Sequence, residues 1–220
     1  SDPSLIPEDD PAIPTSGRRL AYAKHLTNGQ HPLVARVLVN RFWLHHLGQG
    51  LVSTVGDFGV KGEKPSHPEL LDWLAIEFVQ NGWSLKETLR QIVLSETYRQ
   101  SSQSRPDLAE RDPTNRLLAR QARLRLSAET VRDVTLAASG LLNRTIGGPS
   151  VKPPQPASVS KEGFDNKWET SKGADRYRRG LYAFIQRTSP FAQFVTFDFP
   201  DSSRACTRRE RATTPLQALN

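Results

Sequence analysis

The strongest constraint on the fold of this chain is a run of helical periodicity between residues 31 and 102. Its first segment covers residues 32–47, where apolar side chains recur every three or four positions: Leu33, Val37, Leu44 and Leu47, with Val34, Leu38 and Phe42 beside them. This spacing predicts an α-helix with one broad apolar face. Pro32 suits the first helical position, because its missing N–H would have no intrahelical partner there. Gly48 and Gly50 predict the end of the helix.

Two more helices are predicted in the same region. Ser66 is the expected cap of the second helix, and Glu69 lies near the positive end of its dipole. The apolar residues of this helix are Leu70, Leu71, Leu74, Phe78 and Val79, and it ends at Gly82. Ser84 and Glu87 have capping-box spacing and predict the start of the third helix. We therefore expect a mainly α fold in which the first two helices pack side by side, with the glycine-rich turn between them.

The N-terminal part of the chain is expected to be less regular. Residues 1–16 contain four prolines and four acidic residues, which is typical of a linker or a surface arm. A short helix is predicted over residues 17–26. After a polar break at 101–111, Asp112 and Pro113 predict another helix start, and Ser127 is the expected cap of a longer helix. We expect a single helical domain over 17–220, with its core at 31–102.

The C-terminal part contains a long segment that is poor in helical signals. Residues 143–180 are rich in Gly, Pro, Ser and Lys, which predicts a long irregular excursion. Residues 181–186 are predicted to form a short apolar strand, the one small β element expected. A turn or helix is predicted after Pro190. Thr214 and Pro215 predict the start of a C-terminal helix that is truncated at residue 220.

The charge of the chain points to anionic partners. Its net charge is +7, a bias toward nucleic acid, acidic glycans, phospholipid surfaces or an acidic protein. The most basic short window has no acidic residue among its arginines, and a second basic cluster lies near the C-terminus. These are the candidate anion-binding residues: Arg116, Arg120, Arg123, Arg125, Arg208 and Arg209. The alternative is a solvated surface that happens to be rich in arginine.

Two broad classes of structure are excluded or disfavoured by simple counts. The one cysteine, Cys206, excludes an internal disulfide and a zinc site built from cysteines. No apolar run approaches the roughly 20 residues that a membrane-spanning helix needs. No membrane span is therefore predicted.

A candidate catalytic site centres on the loop after the first core helix. Its candidate residues are Arg41, His45, His46, Asp57, His67 and Glu69. His45 and His46 are adjacent, and neighbouring helical side chains point about 100° apart, so no metal site is predicted from them. Asp57 lies in a Gly-Asp-Phe-Gly sequence that has the letters of a kinase magnesium motif, but the other kinase motifs are missing. The alternative is a structural turn, with Phe58 in the core and Asp57 paired with Arg41 or with backbone amides.

Several long strings of the sequence resemble one family. They are PLVARVLVNRFWLHHLGQGLV from Pro32, DFG from Asp57, PSHPELLDWL from Pro65, GWS from Gly82, YRQSS from Tyr98 and RRERATTPLQAL from Arg208. Together they resemble the planctomycete-associated C-terminal domain of unknown function 1553, which is found in exported multidomain proteins that contain cytochrome c. The resemblance covers the chain from about Gly17 onward.

This resemblance implies a periplasmic or extracellular setting, with upstream domains of the same polypeptide as partners and haem in a neighbouring domain. The chain itself has no Cys-x-x-Cys-His sequence for c-type haem attachment, so no cofactor is expected in it. The resemblance implies no reaction.

Three function hypotheses follow. The preferred one is a non-catalytic accessory or docking domain, tied to redox or polysaccharide metabolism, whose basic surface contacts an acidic partner domain or an anionic glycan. The alternative is an enzyme domain that uses the site around residues 41–69. Nucleic-acid binding comes third, because only the charge favours it and no known nucleic-acid-binding module is recognisable.

Overall fold

The computed structural model describes residues 15–108, 110–156, 168–187 and 189–219. The predicted arm at 1–16 lies outside these residues except for Thr15 and Ser16. The chain divides into two compact units, residues 1–124 and 125–220, and each is described by itself. The single domain expected over 17–220 stays a prediction.

The mainly α fold is confirmed. The helices in the described residues are α1 (Arg18–Thr27), α2 (Val34–Leu47), α3 (Pro68–Gln80), α4 (Leu85–Leu94), α5 (Glu96–Arg99), α6 (Ala128–Ala138), α7 (Ala192–Thr196) and α8 (Pro215–Ala218). Short 3₁₀ turns cover Pro106–Leu108, Gly173–Tyr177 and Gly180–Tyr182. The β structure described is two isolated bridges, Asn143 with Arg178 and Val151 with Ala183. Within the described ranges, no helix combines the length and the hydropathy needed to span a membrane.

The core of the first unit forms where α2 packs along α3. Phe42 and Phe78 meet edge to face, with 5.7 Å between their ring centroids. The buried residues come from both helices, from α4 and from the loop after α2: Ala35, Val39, Trp43, Leu47, Leu51, Val52, Leu71, Leu74, Ala75, Phe78 and Ile92. Phe58 packs against this cluster. The predicted pairing of the first two core helices is therefore confirmed, with the glycine-containing loop contributing to the same core.

Side-chain caps account for several helix starts. The hydroxyl of Ser84 accepts a hydrogen bond from the amide of Glu87, and Ser127 does the same for Thr130. Both caps were predicted. The predicted cap of α3 is off by one residue, because His67 occupies the N-cap position and Pro68 is the first helical residue.

The helix predicted to start at Asp112 is wrong. The buried carboxylate of Asp112 accepts hydrogen bonds from the amides of Arg116 at 2.7 Å and Leu117 at 2.8 Å. Asn115 and Leu118 then adopt positive φ angles of 57° and 58°. An Asp side chain can accept hydrogen bonds from backbone amides in place of backbone carbonyl oxygens. The same Asp that could cap a helix therefore closes a turn at this position.

The second unit has its own apolar core. Trp168 stacks parallel to Phe191 at 6.0 Å between centroids, and Phe191 meets Phe194 edge to face. Ala128 and Ala183 complete the buried cluster. The strand predicted over 181–186 is wrong, because Gly180–Tyr182 forms a 3₁₀ turn and only Ala183 makes a bridge. The amides of Tyr182 and Ala183 donate back within the turn. Within the described residues, the pairing with Val151 is limited to the carbonyl oxygen of Tyr182 and the amide of Phe184.

One buried arginine organises the irregular excursion. The guanidinium of Arg178 donates hydrogen bonds to the carbonyl oxygens of Thr145, Gly147 and Pro149. It also lies over the ring of Tyr182, 3.8 Å from the centroid. The described part of the excursion is therefore irregular in its dihedral angles but anchored by specific contacts. Residues 157–167 lie outside the described ranges.

Candidate functional site

The predicted catalytic residues on α2 lie on the outer part of the helix. Arg41 and His45 are exposed. His46 is half-buried, with its Nδ1 atom 2.7 Å from the carbonyl oxygen of Phe42 and its ring 6.3 Å from that of Tyr98. The bond to Phe42 spans one helical turn, so it holds the imidazole against its own helix.

Two of the other predicted catalytic residues also bond to their local surroundings. A carboxylate oxygen of Asp57 accepts a hydrogen bond from the amide of Gly59 at 2.8 Å, as the structural-turn alternative predicts. His67 places its Nδ1 atom 3.0 Å from the hydroxyl of Ser66. Glu69 is exposed in the first turn of α3. Among the described residues, no group of three or more His, Cys, Asp or Glu side chains is arranged to hold a metal ion.

Two of the predicted anion-binding arginines, both in the second unit, are bonded to carboxylates. Arg125 donates to Asp198 at 2.5 Å, and Arg209 donates to both carboxylate oxygens of Glu129 at 2.8 Å. The pKa of Asp198 is lowered, first by the hydrogen bond from the amide of Ala212 and then by Arg125. These two arginines are therefore paired within the second unit. Arg208, also in this unit, is exposed.

The predicted arginines of the first unit include two that line an open pocket of about 340 Å³. We call it the arginine pocket, and its lining residues are Ser102, Ser104, Thr114, Asn115, Arg120, Ala122 and Arg123. Arg120 makes a 3.4 Å hydrogen bond to the carbonyl oxygen of Pro113. Arg123 makes one of the same length to the hydroxyl of Ser102. Neither guanidinium has a carboxylate within 4 Å in the part of the chain that the structure describes.

The turn that follows Asp112 positions this pocket. Asn115, in the left-handed region, accepts a hydrogen bond from the amide of Arg120 at 3.2 Å and donates one to its carbonyl oxygen at 2.7 Å. The amide of Gln121 then donates to the carbonyl oxygen of Ser101. These bonds bring the segment that follows Arg120 against the serines that follow α5, although about twenty residues separate them in the sequence.

Sequence reasoning missed the hydroxyl and amide side chains of the pocket. Asp112 and Asn115 were the available signal, because Asp and Asn at this spacing are typical of turns whose side chains bond the backbone. The serines at 102 and 104 carry no such signal.

The chemistry of the pocket is that of an oxyanion receptor. Two guanidinium groups can each offer paired N–H donors to a carboxylate, sulfate or phosphate. Three hydroxyls can donate to or accept from a hydroxylated ligand. Arg116 lies nearby in sequence but has a carboxylate near it, because its Nη1 atom is 3.9 Å from Glu63.

Comparison with known proteins identifies a family. Residues 18–220 match the model of the family described as PSD1, a protein of unknown function (DUF1553). Curated proteins and solved structures gave no match. Because the family model covers most of the chain, this protein belongs to the PSD1 family of proteins of unknown function.

Proposed function

We propose that this chain is a non-catalytic accessory domain of an exported multidomain protein, and that it binds an anionic saccharide in the arginine pocket. The preferred sequence hypothesis left the choice between an acidic partner domain and an anionic glycan open. The composition of the pocket favours the glycan.

The observation that carries this proposal is the contrast between two kinds of arginine. Arg125 and Arg209 are bonded to carboxylates. Arg120 and Arg123 line an open pocket, and within the described residues each guanidinium makes a long hydrogen bond, of 3.4 Å, to a neutral oxygen. Donors beyond about 3.2 Å from their acceptors are weakly engaged, so these guanidiniums retain hydrogen-bonding capacity for a ligand.

The lining of the pocket favours a saccharide over a protein surface. Protein–protein interfaces have apolar, aromatic-rich centres. Ala122 is the one apolar residue among the described residues that line the pocket, and the others are hydroxyl, amide or guanidinium groups. A ligand that carries both hydroxyls and acidic groups could bond to all of these side chains.

The local bonds of His46, Asp57 and His67 support a structural role for them. Each bond spans no more than four residues and stabilises the turn or helix on which the side chain lies. These are the residues that the enzyme hypothesis required to converge.

The proposal is tested by calorimetry with defined oligosaccharides. We expect tetragalacturonate, or a sulfated carrageenan tetrasaccharide, to bind, and neutral maltotetraose not to bind. The variant Arg120→Gln/Arg123→Gln should weaken binding by about tenfold or more for each arginine, because charge-assisted hydrogen bonds are worth about 1.5–3 kcal/mol. Affinity should also fall as salt is added, because salt screens exposed charges.

The matched control is Arg90→Gln/Arg99→Gln, which removes the same charge from exposed helical positions of the first unit. It should bind like the wild type. If both double variants weaken binding equally, then binding depends on net charge alone and the saccharide does not bind specifically in the arginine pocket. If the chain binds its neighbouring domains or duplex DNA but neither charged saccharide, then its ligand is an acidic domain or a nucleic acid and not a saccharide.

A further inference from the structure

Trp43 presents a buried hydrogen-bond donor that has no acceptor among the described residues. Its side chain is 3% exposed, and the indole Nε1 atom makes no hydrogen bond in the described part of the chain. An indole N–H can only donate, and buried donors in native proteins are nearly always bonded to protein, water or ligand. An oxygen atom is therefore expected next to this nitrogen.

Trp43 lines a small cavity of the first unit. Its volume is about 10 Å³, which is close to the space that one water-sized group needs. The charged lining residues are Lys64, Arg116 and Glu63. Because Glu63 is 3.9 Å from Arg116 and also accepts a hydrogen bond from Ser53, it can offset one positive charge and leaves the other. The residues that line the cavity thus include the tryptophan whose indole N–H is unbonded, and they carry a net positive charge, which favours an oxygen that accepts hydrogen bonds.

The cavity adjoins the arginine pocket along the chain. Asn115 lines both of them, with Thr114 lining the pocket on one side of it and Arg116 lining the cavity on the other. Asn115 is fixed by its two hydrogen bonds to the backbone of Arg120. The two sites are therefore neighbours, separated by one residue whose side chain is held in place.

We propose that this cavity is a second subsite, in which the indole N–H of Trp43 and the guanidinium of Arg116 bind one acceptor oxygen of an acidic oligosaccharide. This inference rests on the proposed function and adds the ligand class. The ligand is an oligosaccharide with more than one acidic sugar, so that one sugar occupies the arginine pocket and the acidic oxygen of another enters the cavity.

The test uses the indole N–H resonances of the ¹⁵N-labelled chain. The resonance of Trp43 is assigned by its loss in Trp43→Phe, and the wild type is then titrated with tetragalacturonate. We expect this resonance to shift saturably with the same midpoint as in calorimetry, whereas galacturonic acid alone should bind at least tenfold more weakly. A parallel titration with the carrageenan tetrasaccharide distinguishes a carboxylate oxygen from a sulfate oxygen.

Arg116→Gln supplies a second measurement at a half-exposed position, and Lys86→Gln on α4 is its control for charge. We expect Arg116→Gln to weaken tetragalacturonate binding about tenfold and to reduce the shift of the Trp43 resonance, while Lys86→Gln changes neither. If tetragalacturonate binds in an Arg120- and Arg123-dependent manner but leaves the Trp43 resonance unmoved, the subsite is wrong and the arginine pocket stands. If neither charged oligosaccharide binds, the proposed function itself is wrong.

Discussion

Asn40 on α2 and Val52 in the loop after it exchange two hydrogen bonds. The amide of Val52 donates to Oδ1 of Asn40 at 2.9 Å, and Nδ2 of Asn40 donates to the carbonyl oxygen of Val52 at 3.1 Å. Asn40 is fully buried and Val52 is almost so. A side-chain amide thus satisfies both backbone groups of a buried loop residue, as a neighbouring strand would elsewhere. This bond pair fixes the loop against the core of the first unit.

Replacing this amide should destabilise the first unit. Asn40→Ala removes two hydrogen bonds and leaves the N–H and C=O of Val52 buried without partners, so we expect a loss of about 2–4 kcal/mol in the free energy of unfolding. Urea denaturation measures this loss. Asn81→Ala, at the exposed end of α3, is the control and should change the free energy by less than about 0.5 kcal/mol. Similar losses in the two variants would contradict the role assigned to Asn40.

Gly180 lies against the backbone of α6. A Cβ atom at this position would be 2.8 Å from both the Cα atom and the carbonyl oxygen of Glu129. Backbone cannot move aside as a flexible side chain can, so Gly180→Ala should push the 3₁₀ turn away from α6.

The control for Gly180→Ala is Gly140→Ala. Gly140 has a φ of +73°, but a Cβ atom there meets nothing within 4 Å. The control should therefore cost only the left-handed strain of about 1–2 kcal/mol. We expect Gly180→Ala to lower the melting temperature by more than this control. A larger fall in melting temperature for Gly140→Ala would show that the 3₁₀ turn does not pack against α6.

Arg178 should determine whether the irregular excursion keeps its conformation. Arg178→Met retains much of the length of the side chain but loses its bonds to three carbonyl oxygens, so we expect a loss of about 2–5 kcal/mol in the free energy of unfolding. Residues 143–156 should also be cleaved faster by a protease, because their anchoring contacts are gone. Arg144→Met, at an exposed position of the same segment, should leave both measurements near those of the wild type.

The helices of the first unit could be predicted from sequence because their signals are local. The apolar spacing of α2 and α3 and the cap at Ser84 each depend on residues within one or two helical turns. The segment after Asp112 could not be predicted so well. Asp before Pro is a helix-start pattern, but here the carboxylate bonds to amides four and five residues on, and Asn115 and Leu118 take positive φ angles. The sequence of this segment is therefore compatible both with a helix that starts at Asp112 and with the turn that is observed.

The candidate site was predictable only in part, for a different reason. The arginines at 116–125 form one basic window in the sequence, yet Arg125 bonds to a carboxylate 73 residues away. Arg209 likewise bonds to Glu129, 80 residues away. Which arginines are neutralised therefore depends on long-range contacts that no local pattern encodes. The position of the serines beside the arginine pocket likewise depends on a long-range contact, the hydrogen bond from the amide of Gln121 to the carbonyl oxygen of Ser101.

The bond between Arg125 and Asp198 should make the second unit sensitive to acid. The amide of Ala212 and then Arg125 lower the pKa of Asp198 below its usual value. A carboxylate with a lowered folded-state pKa contributes stability that is complete above its unfolded pKa, about 3.9, and is lost as the pH falls through the lower folded value. Asp198→Asn should therefore reduce the free energy of unfolding by about 1–3 kcal/mol at pH 7, because it leaves Arg125 without its counter-charge.

The gap between wild type and Asp198→Asn should narrow as the pH falls below about 4, because the unfolded wild type then binds a proton on this carboxyl, whereas the folded protein, in which the pKa is lowered, binds it only at lower pH. Melting temperatures of both proteins at pH 7, 5 and 3 measure the gap. Asp175→Asn, which changes an exposed carboxylate of the same unit, should show no comparable gap at pH 7. A difference between wild type and Asp198→Asn that stays constant down to pH 3 would mean that the charge of Asp198 does not stabilise the fold, and that its side chain contributes through packing and neutral hydrogen bonds alone.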